Sequence, residues 1–181
     1  EVDTWQEYHD MFLSNNSEVI FAVPRHVMYG ENIEEELIPN GYVGWSGLNP
    51  TQEFVDNFQM SDGLPISESP LYDPSPSTFY LNKEMRFYST VLYNGLQWQG
   101  RDVQFYIPNG RDSKQGPQPH DASLSGYTLR KFLDESTDFR NERSESPAIQ
   151  FRLAEIYLNY AEAEYYLGHE DVAREYINKV R

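Results

Sequence analysis

The segment between Pro24 and Leu48 holds the residues with the most binding chemistry. Arg25, His26, Tyr29, Asn32, Tyr42 and Trp45 stand there among Gly41, Gly44 and Gly47. Trp and Tyr rings are rigid apolar plates, and tyrosine adds a polar handle. A sugar ring presents a flat C–H face edged by hydroxyls. An aromatic plate can stack on that face while Arg, Asn and carboxylates bond the hydroxyls, the charged partners more strongly. Binding residues also concentrate on loops. Trp45 and Tyr42 are therefore the candidate stacking platform, with Tyr29, Arg25 and Asn32 as neighbours. The competing reading is that Tyr42 and Trp45 pin an irregular loop to the core, the commoner use of large aromatics. Trp98, beyond a turn signal, reads as a core residue, and the tyrosines of 157–166 read as helix-packing residues. The glycines are expected to permit positive φ or close backbone approach.

Catalytic signatures are absent. There is no H-E-x-x-H, G-x-S-x-G, Walker glycine loop or G-x-G-x-x-G. His9, His26, His120 and His169 are far apart, and none has a neighbour at metal-ligand spacing. Glycoside hydrolysis needs two carboxylates placed across a sugar. Among 29 Asp and Glu no pair stands out. The acidic group Glu31, Glu34, Glu35 and Glu36 reads as a solvated face. No catalytic residue, metal or cofactor is expected.

Charge and composition narrow the classes further. Fourteen Lys and Arg against 29 Asp and Glu leave a formal net charge of −15. Nucleic-acid binding needs clustered cations against phosphates, and docking on anionic lipid heads needs the same. With 39% apolar and 15% aromatic residues the chain folds rather than staying disordered. No apolar run approaches the roughly 20 residues of a membrane-spanning helix. The absence of cysteine removes disulfides and thiolate chemistry.

The elements that must position these residues are legible in part. Asp3 with Gln6 has capping-box spacing, and Trp5, Tyr8 and Phe12 follow on one helical face. Val19–Val23 is an apolar run of buried-strand length. Residues 24–48 and 109–126 read as mainly loop. Asn49-Pro50-Thr51-Gln52 predicts a helix capped by Asn49 with Pro50 in its first turn. Thr90–Tyr93, Asn94-Gly95 and Leu96–Trp98 predict a hairpin turning at Asn94-Gly95. Val103, Phe105 and Ile107 alternate like a strand, and 127–132 reads as another. From about Phe151 a helical stripe runs through Leu153, Ile156, Tyr157, Tyr160 and Ala161 to Leu167. Gly168 breaks it, and a second helix runs from Asp171 to Arg181, supported by the i,i+4 pairs Glu170/Arg174 and Glu175/Lys179. Small Ala161 and Ala173 between large tyrosines give this antiparallel pair a tetratricopeptide-like spacing. The division expected is an irregular region over 1–150 and a helix pair over 151–181, together one domain. One such helix pair cannot bury its own faces, and the last helix stops without a cap, so the chain is expected to be a piece of a longer one.

Four segments together resemble the SusD/RagB family of Bacteroidetes outer-membrane lipoproteins. They are Asn49–Asp56 (NPTQEFVD) with the later Asp62-Gly63, Arg86–Gly95 (RFYSTVLYNG), Gly126–Phe132 (GYTLRKF) and Phe151–Ala163 (FRLAEIYLNYAEA). The resemblance implies a mainly α fold of tetratricopeptide-like helix pairs with a large loop-rich insertion carrying short strands and a hairpin. It implies a non-enzymatic role, binding a polysaccharide or oligosaccharide at the cell surface and passing it to a SusC-like TonB-dependent transporter. Attachment to the outer membrane would come through an upstream lipidated cysteine outside this chain. Peptide capture by a member of the same family and a helical-repeat adaptor that binds only protein are the alternatives.

Overall fold

The structure, a computed structural model, describes residues 2–24, 33–139, 142 and 144–180. Its regular elements are helices α1 (Trp5–Asp10), α2 (Ile33–Leu37), α3 (Gln52–Asp56), α4 (Met85–Thr90), α5 (Leu153–Tyr166) and α6 (Glu170–Val180). The strands are β1 (Val19–Val23), β2 (Val91–Leu92), β3 (Gln97–Trp98), β4 (Arg101–Asp102), β5 (Thr128–Leu129) and β6 (Ala148–Arg152). The strands form three separate two-stranded antiparallel ribbons, β1–β6, β2–β5 and β3–β4. The sequence reading divides the chain at residue 150. Strand pairing divides it differently: Glu1–Leu13 with Tyr29–Ser144 form one compact unit, and Ser14–Met28 with Glu145–Arg181 form the other.

In the second unit β1 pairs with β6 at Val19↔Arg152, Phe21↔Phe151, Ala22↔Ile149 and Val23↔Ala148, with two register irregularities. The ladder continues as Leu153 N–H donates to the Glu18 carbonyl at 2.7 Å, so the strand feeds directly into α5. Phe151 and Arg152 therefore end a strand; they do not begin the helix. The apolar run Val19–Val23 is a strand as expected, but it is not buried. Ile20 is 56% and Phe21 52% exposed, because a two-stranded ribbon covers neither of its own faces.

α5 ends in a Schellman motif. Gly168 takes φ +85°, its N–H bonds the Tyr165 carbonyl at 3.0 Å, and His169 N–H bonds the Glu164 carbonyl at 2.9 Å. Tyr157, early in α5, meets Tyr176, late in α6, at 5.5 Å between ring centroids, and Tyr160 meets it at 4.5 Å. The two helices therefore run antiparallel. Lys179 pairs with Glu175 at 2.9 Å as expected, whereas Arg174 reaches Asp171 and not Glu170. Tyr160, Tyr165 and Tyr166 are exposed; of the four tyrosines here only Tyr157 is partly buried. Ala161 and Ala173 are 2% and 4% exposed, on helices in close approach. Replacing either with leucine is expected to overpack the pair and lower stability by about 1–3 kcal/mol. A lowered thermal midpoint for both variants, followed by circular dichroism, is the check.

The first unit is held by two cores. One gathers Leu37, Ile38, Tyr42, Leu92, Trp98, Val103, Phe105 and Leu133. The other joins Val55, Phe87, Val91 and Tyr127, with Tyr80, Tyr88 and Tyr93 packed against it. Both helix starts shift from their expected caps. Thr4 caps α1, in a full capping box with Glu7, in place of Asp3 with Gln6. Thr51, whose hydroxyl accepts from Phe54 N–H, caps α3 in place of Asn49. Asn49 is engaged elsewhere, donating to the Ser46 carbonyl at 2.6 Å and accepting from Leu124 N–H at 2.8 Å.

The hairpin also moves. Gly95 takes positive φ in a turn closed by Leu96 N–H to the Tyr93 carbonyl, but β2 then pairs with β5, some 37 residues on, at Val91↔Leu129 and Leu92↔Thr128. The tight hairpin is β3–β4, turning at Gln99 (φ 43°) and Gly100 (φ 83°), both left-handed as a type I′ turn requires. Of the strand read over 127–132 only Thr128–Leu129 forms, and 103–107 is irregular. Residues 109–126 carry no helix or strand, while the described part of 24–48 contains α2 and a 3-10 turn at Asn40–Tyr42.

Candidate functional site

The aromatic loop is built on the end of α2. The last carbonyls of a helix lack intrahelical partners, and here the following chain folds back to supply them. Trp45 N–H bonds the Glu35 carbonyl at 2.8 Å, Gly47 N–H that of Glu36 at 2.6 Å, and Ser46 N–H that of Ile38 at 3.1 Å. This return needs bare backbone at Gly44 and Gly47. A Cβ on Gly44 would stand 2.3 Å from the Ile38 carbonyl oxygen, and one on Gly47 3.0 Å from that of Glu36. Close approach is thus the role of these glycines. The positive φ expected of them falls on Val43 (72°) and Ser46 (46°).

Side chains alternate along the return. Tyr42, Gly44 and Ser46 are buried, while Val43 and Trp45 point outward. Trp45 is 50% exposed, its backbone held by the main-chain N–H bond to the Glu35 carbonyl. A β-branched residue in the left-handed region is strained by roughly 1–2 kcal/mol, and asparagine tolerates that region better. Val43→Asn is accordingly expected to raise stability by about 1 kcal/mol, read as a higher urea midpoint.

Tyr42 sits beneath this ridge and is 6% exposed. Its ring packs edge-on against Trp98 with centroids 4.7 Å apart, and its hydroxyl donates to the Trp98 carbonyl at 3.0 Å. The Arg101 guanidinium lies 3.6 Å over its face. Burial pushes the Tyr42 phenol up to about 12. A free stacking plate needs an open face, and this ring has none; the reading that it pins the loop to the core is the one its surroundings support. Trp98 is buried, as expected of a core residue. Arg25, His26, Tyr29 and Asn32 lie outside the described residues, so Trp45 and Tyr42 are the two candidates that the structure locates.

Arg101 is held in turn by Asp112, fully buried, through two bonds of 2.7 and 2.8 Å. Asp112 also accepts from Gln104 N–H at 2.7 Å. A Cβ on Gly41 would stand 2.2 Å from the Asp112 Oδ1, so this pair requires glycine there as well. Sequence reasoning missed both partners, since an Arg and an Asp eleven residues apart in irregular chain carry no local signal.

Beside Tyr42 and Arg101 opens a cleft of about 550 Å³, bounded by the Gln99-Gly100 turn and the 135–139 loop. Trp45 does not line it. The expected solvated acidic face is not uniform either: Glu36 is exposed, but Glu34 is buried. Among the described residues no group of three or more His, Asp or Glu converges as metal ligands would, and no helix is long and apolar enough to cross a membrane.

A family model for SusD matches residues 6–181. The chain belongs to the SusD family. Solved SusD-family structures share the architecture described above. A SusD-like protein from Bacteroides fragilis NCTC 9343 is 29% identical, with a TM-score of 0.78 over 99% of this chain and 39% of its own. A SusD-like carbohydrate binding protein from the same organism is 26% identical, with a TM-score of 0.67 over 82% of this chain and 29% of its own. This SusD-family chain therefore spans well under half the length of either. No curated protein sequence matches it.

Proposed function

We propose that the protein containing this chain binds a polysaccharide or oligosaccharide at the cell surface without cleaving it. The carrying observation is the exposed Trp45 indole, on backbone anchored by the Trp45 main-chain N–H to the Glu35 carbonyl, in a family with a carbohydrate binding member among its solved structures. Trp45 supplies the stacking face. Tyr42 acts from beneath, holding the loop, and Arg25, Tyr29 and Asn32 in the preceding segment supply hydrogen bonds to hydroxyls. The family resemblance extends the reading to delivery into a SusC-like TonB-dependent transporter, with attachment to the outer membrane through a lipidated cysteine. It also extends it to a tetratricopeptide-like stacking of the α5/α6 pair on further helices. The decisive experiment titrates the whole protein with a glycan panel while assaying new reducing ends. Saturable binding with no new ends is the expected result; turnover would make it a hydrolase.

A further inference from the structure

We infer that the small pocket between Phe105 and Leu124 is a subsite beside the Trp45 loop, and that it takes a carboxylate-bearing unit of an otherwise neutral glycan. This rests on the glycan reading above and adds a place and a ligand class. The place follows from how two loops are tied. The Asn49 side chain donates to the carbonyl of Ser46, the residue after Trp45, at 2.6 Å, and accepts from Leu124 N–H at 2.8 Å. One amide group thus separates the chain that carries Trp45 from the chain that carries Leu124. Asn40 Nδ2 makes a second tie, to the Gln118 carbonyl. Leu124 lines a pocket of about 190 Å³ together with Phe105, Ile107, Lys114 and Ser125. Sites for whole ligands measure roughly 300–1,000 Å³. The pocket therefore takes one unit and leaves the rest of a glycan chain free to lie along the Trp45 loop.

The ligand class follows from the lining. Ile107 is 50% and Leu124 93% exposed, and with the buried Phe105 they offer apolar surface to the C–H face of a sugar. The Ser123 hydroxyl is engaged within its own loop, donating to the Tyr127 carbonyl at 2.6 Å and accepting from Gly126 N–H at 3.1 Å. Asp112 turns both carboxylate oxygens to Arg101 and to Gln104 N–H, so its charge is matched. Lys114 is exposed and forms no ion pair among the described residues. The one uncompensated charge on the lining is therefore positive, and an ammonium makes charge-assisted hydrogen bonds to a carboxylate. The Ser125 hydroxyl is exposed and lies 3.4 Å from that of Ser123; a carboxylate oxygen can take its proton in place of that long contact. The whole chain limits how anionic the ligand is. At a net charge of −15 it repels a polyanion. Charges farther than a Debye length, about 8 Å at physiological ionic strength, are largely screened. A single carboxylate against Lys114 escapes most of that repulsion, which selects a neutral backbone with isolated acids.

The test uses the whole protein and calorimetry on matched pairs: glucuronosyl-xylotriose and glucuronosyl-galactose, each beside its carboxyl-reduced twin. Polygalacturonate is the polyanionic arm, and cello-, malto- and manno-oligosaccharides are the uncharged arm. An acidic probe should bind severalfold more tightly than its reduced twin, and added salt should shrink that ratio. Lys114→Gln, at an exposed position, should bring the ratio to one, and Lys114→Arg should keep most of it. Trp45→Ala should weaken both members of the pair. A reduced twin that binds as tightly as its acid, a ratio that survives Lys114→Gln, or binding of the uncharged arm alone overturns the subsite and leaves the glycan reading standing. Unchanged binding of both members by Trp45→Ala overturns the surface shared with Trp45. Tighter binding of polygalacturonate than of both acidic probes overturns the neutral-backbone class. No binding to any arm overturns the glycan reading and this subsite with it.

Discussion

Trp45→Ala is expected to weaken binding of the cognate glycan about tenfold or more while leaving the fold intact. Removing one aromatic stacking partner costs nucleic-acid binders about 1–3 kcal/mol, and the same scale serves for a sugar ring. At 1.4 kcal/mol per decade this is roughly one to two decades in Kd. Stability should hardly change, because the indole is half exposed and the loop's return bonds come from backbone, not from the ring. Tyr42→Ala makes the contrast. It removes a buried ring, its Trp98 contact and the platform under Arg101, so it should lower the thermal midpoint first. Calorimetry beside thermal melts of the two variants separates the roles. Equal glycan affinities for wild type and Trp45→Ala would retire Trp45 as the stacking face. A melted Trp45→Ala protein would make it a packing residue.

That contrast marks how far the sequence was legible. Periodicity found α5 and α6, and Gly168 placed their boundary, because a helix end is written in adjacent residues. Cap positions slipped by one or two because several residues of the right type stood together. Among Asp3, Thr4, Asn49 and Thr51, the deciding factor was which oxygen met the third N–H onward. Strand pairing was less legible. Asn94-Gly95 is a strong turn signal, yet β2 found its partner in Thr128–Leu129, and no local pattern encodes a pairing at that distance. Burial of Val19–Val23 was misjudged for a related reason: apolar content shows what a strand could bury, not whether a second layer lies over it. At the site, the glycine spacing did signal close approach. Which aromatic faces outward depended on the alternation that the α2 carbonyls impose, and that emerges only once the loop folds back.

Asp112→Ala is expected to cost about 3 kcal/mol, the largest single loss in this region. Removing one partner of a buried ion pair typically costs 3–5 kcal/mol because the other charge is left uncompensated. The Arg101 side chain keeps 20% of its surface, and this partial hydration places the loss at the low end. The Gln104 N–H loses its acceptor in the same step. Asp112→Asn retains the shape and an acceptor but not the charge, so it should fall between wild type and Asp112→Ala. Replacing both partners by apolar residues of similar volume, Arg101→Met with Asp112→Leu, should recover much of the loss, since buried pairs often return little over a well-packed apolar substitute. Urea unfolding of the four proteins gives the ordering. Added salt should alter it little, because screening acts weakly on a pair removed from solvent. A loss below 1 kcal/mol for Asp112→Ala would show that water reaches the pair. The ring of Tyr42 would then owe its place to Trp98 alone, and the Trp45 ridge above it would be held only by the carbonyls of α2.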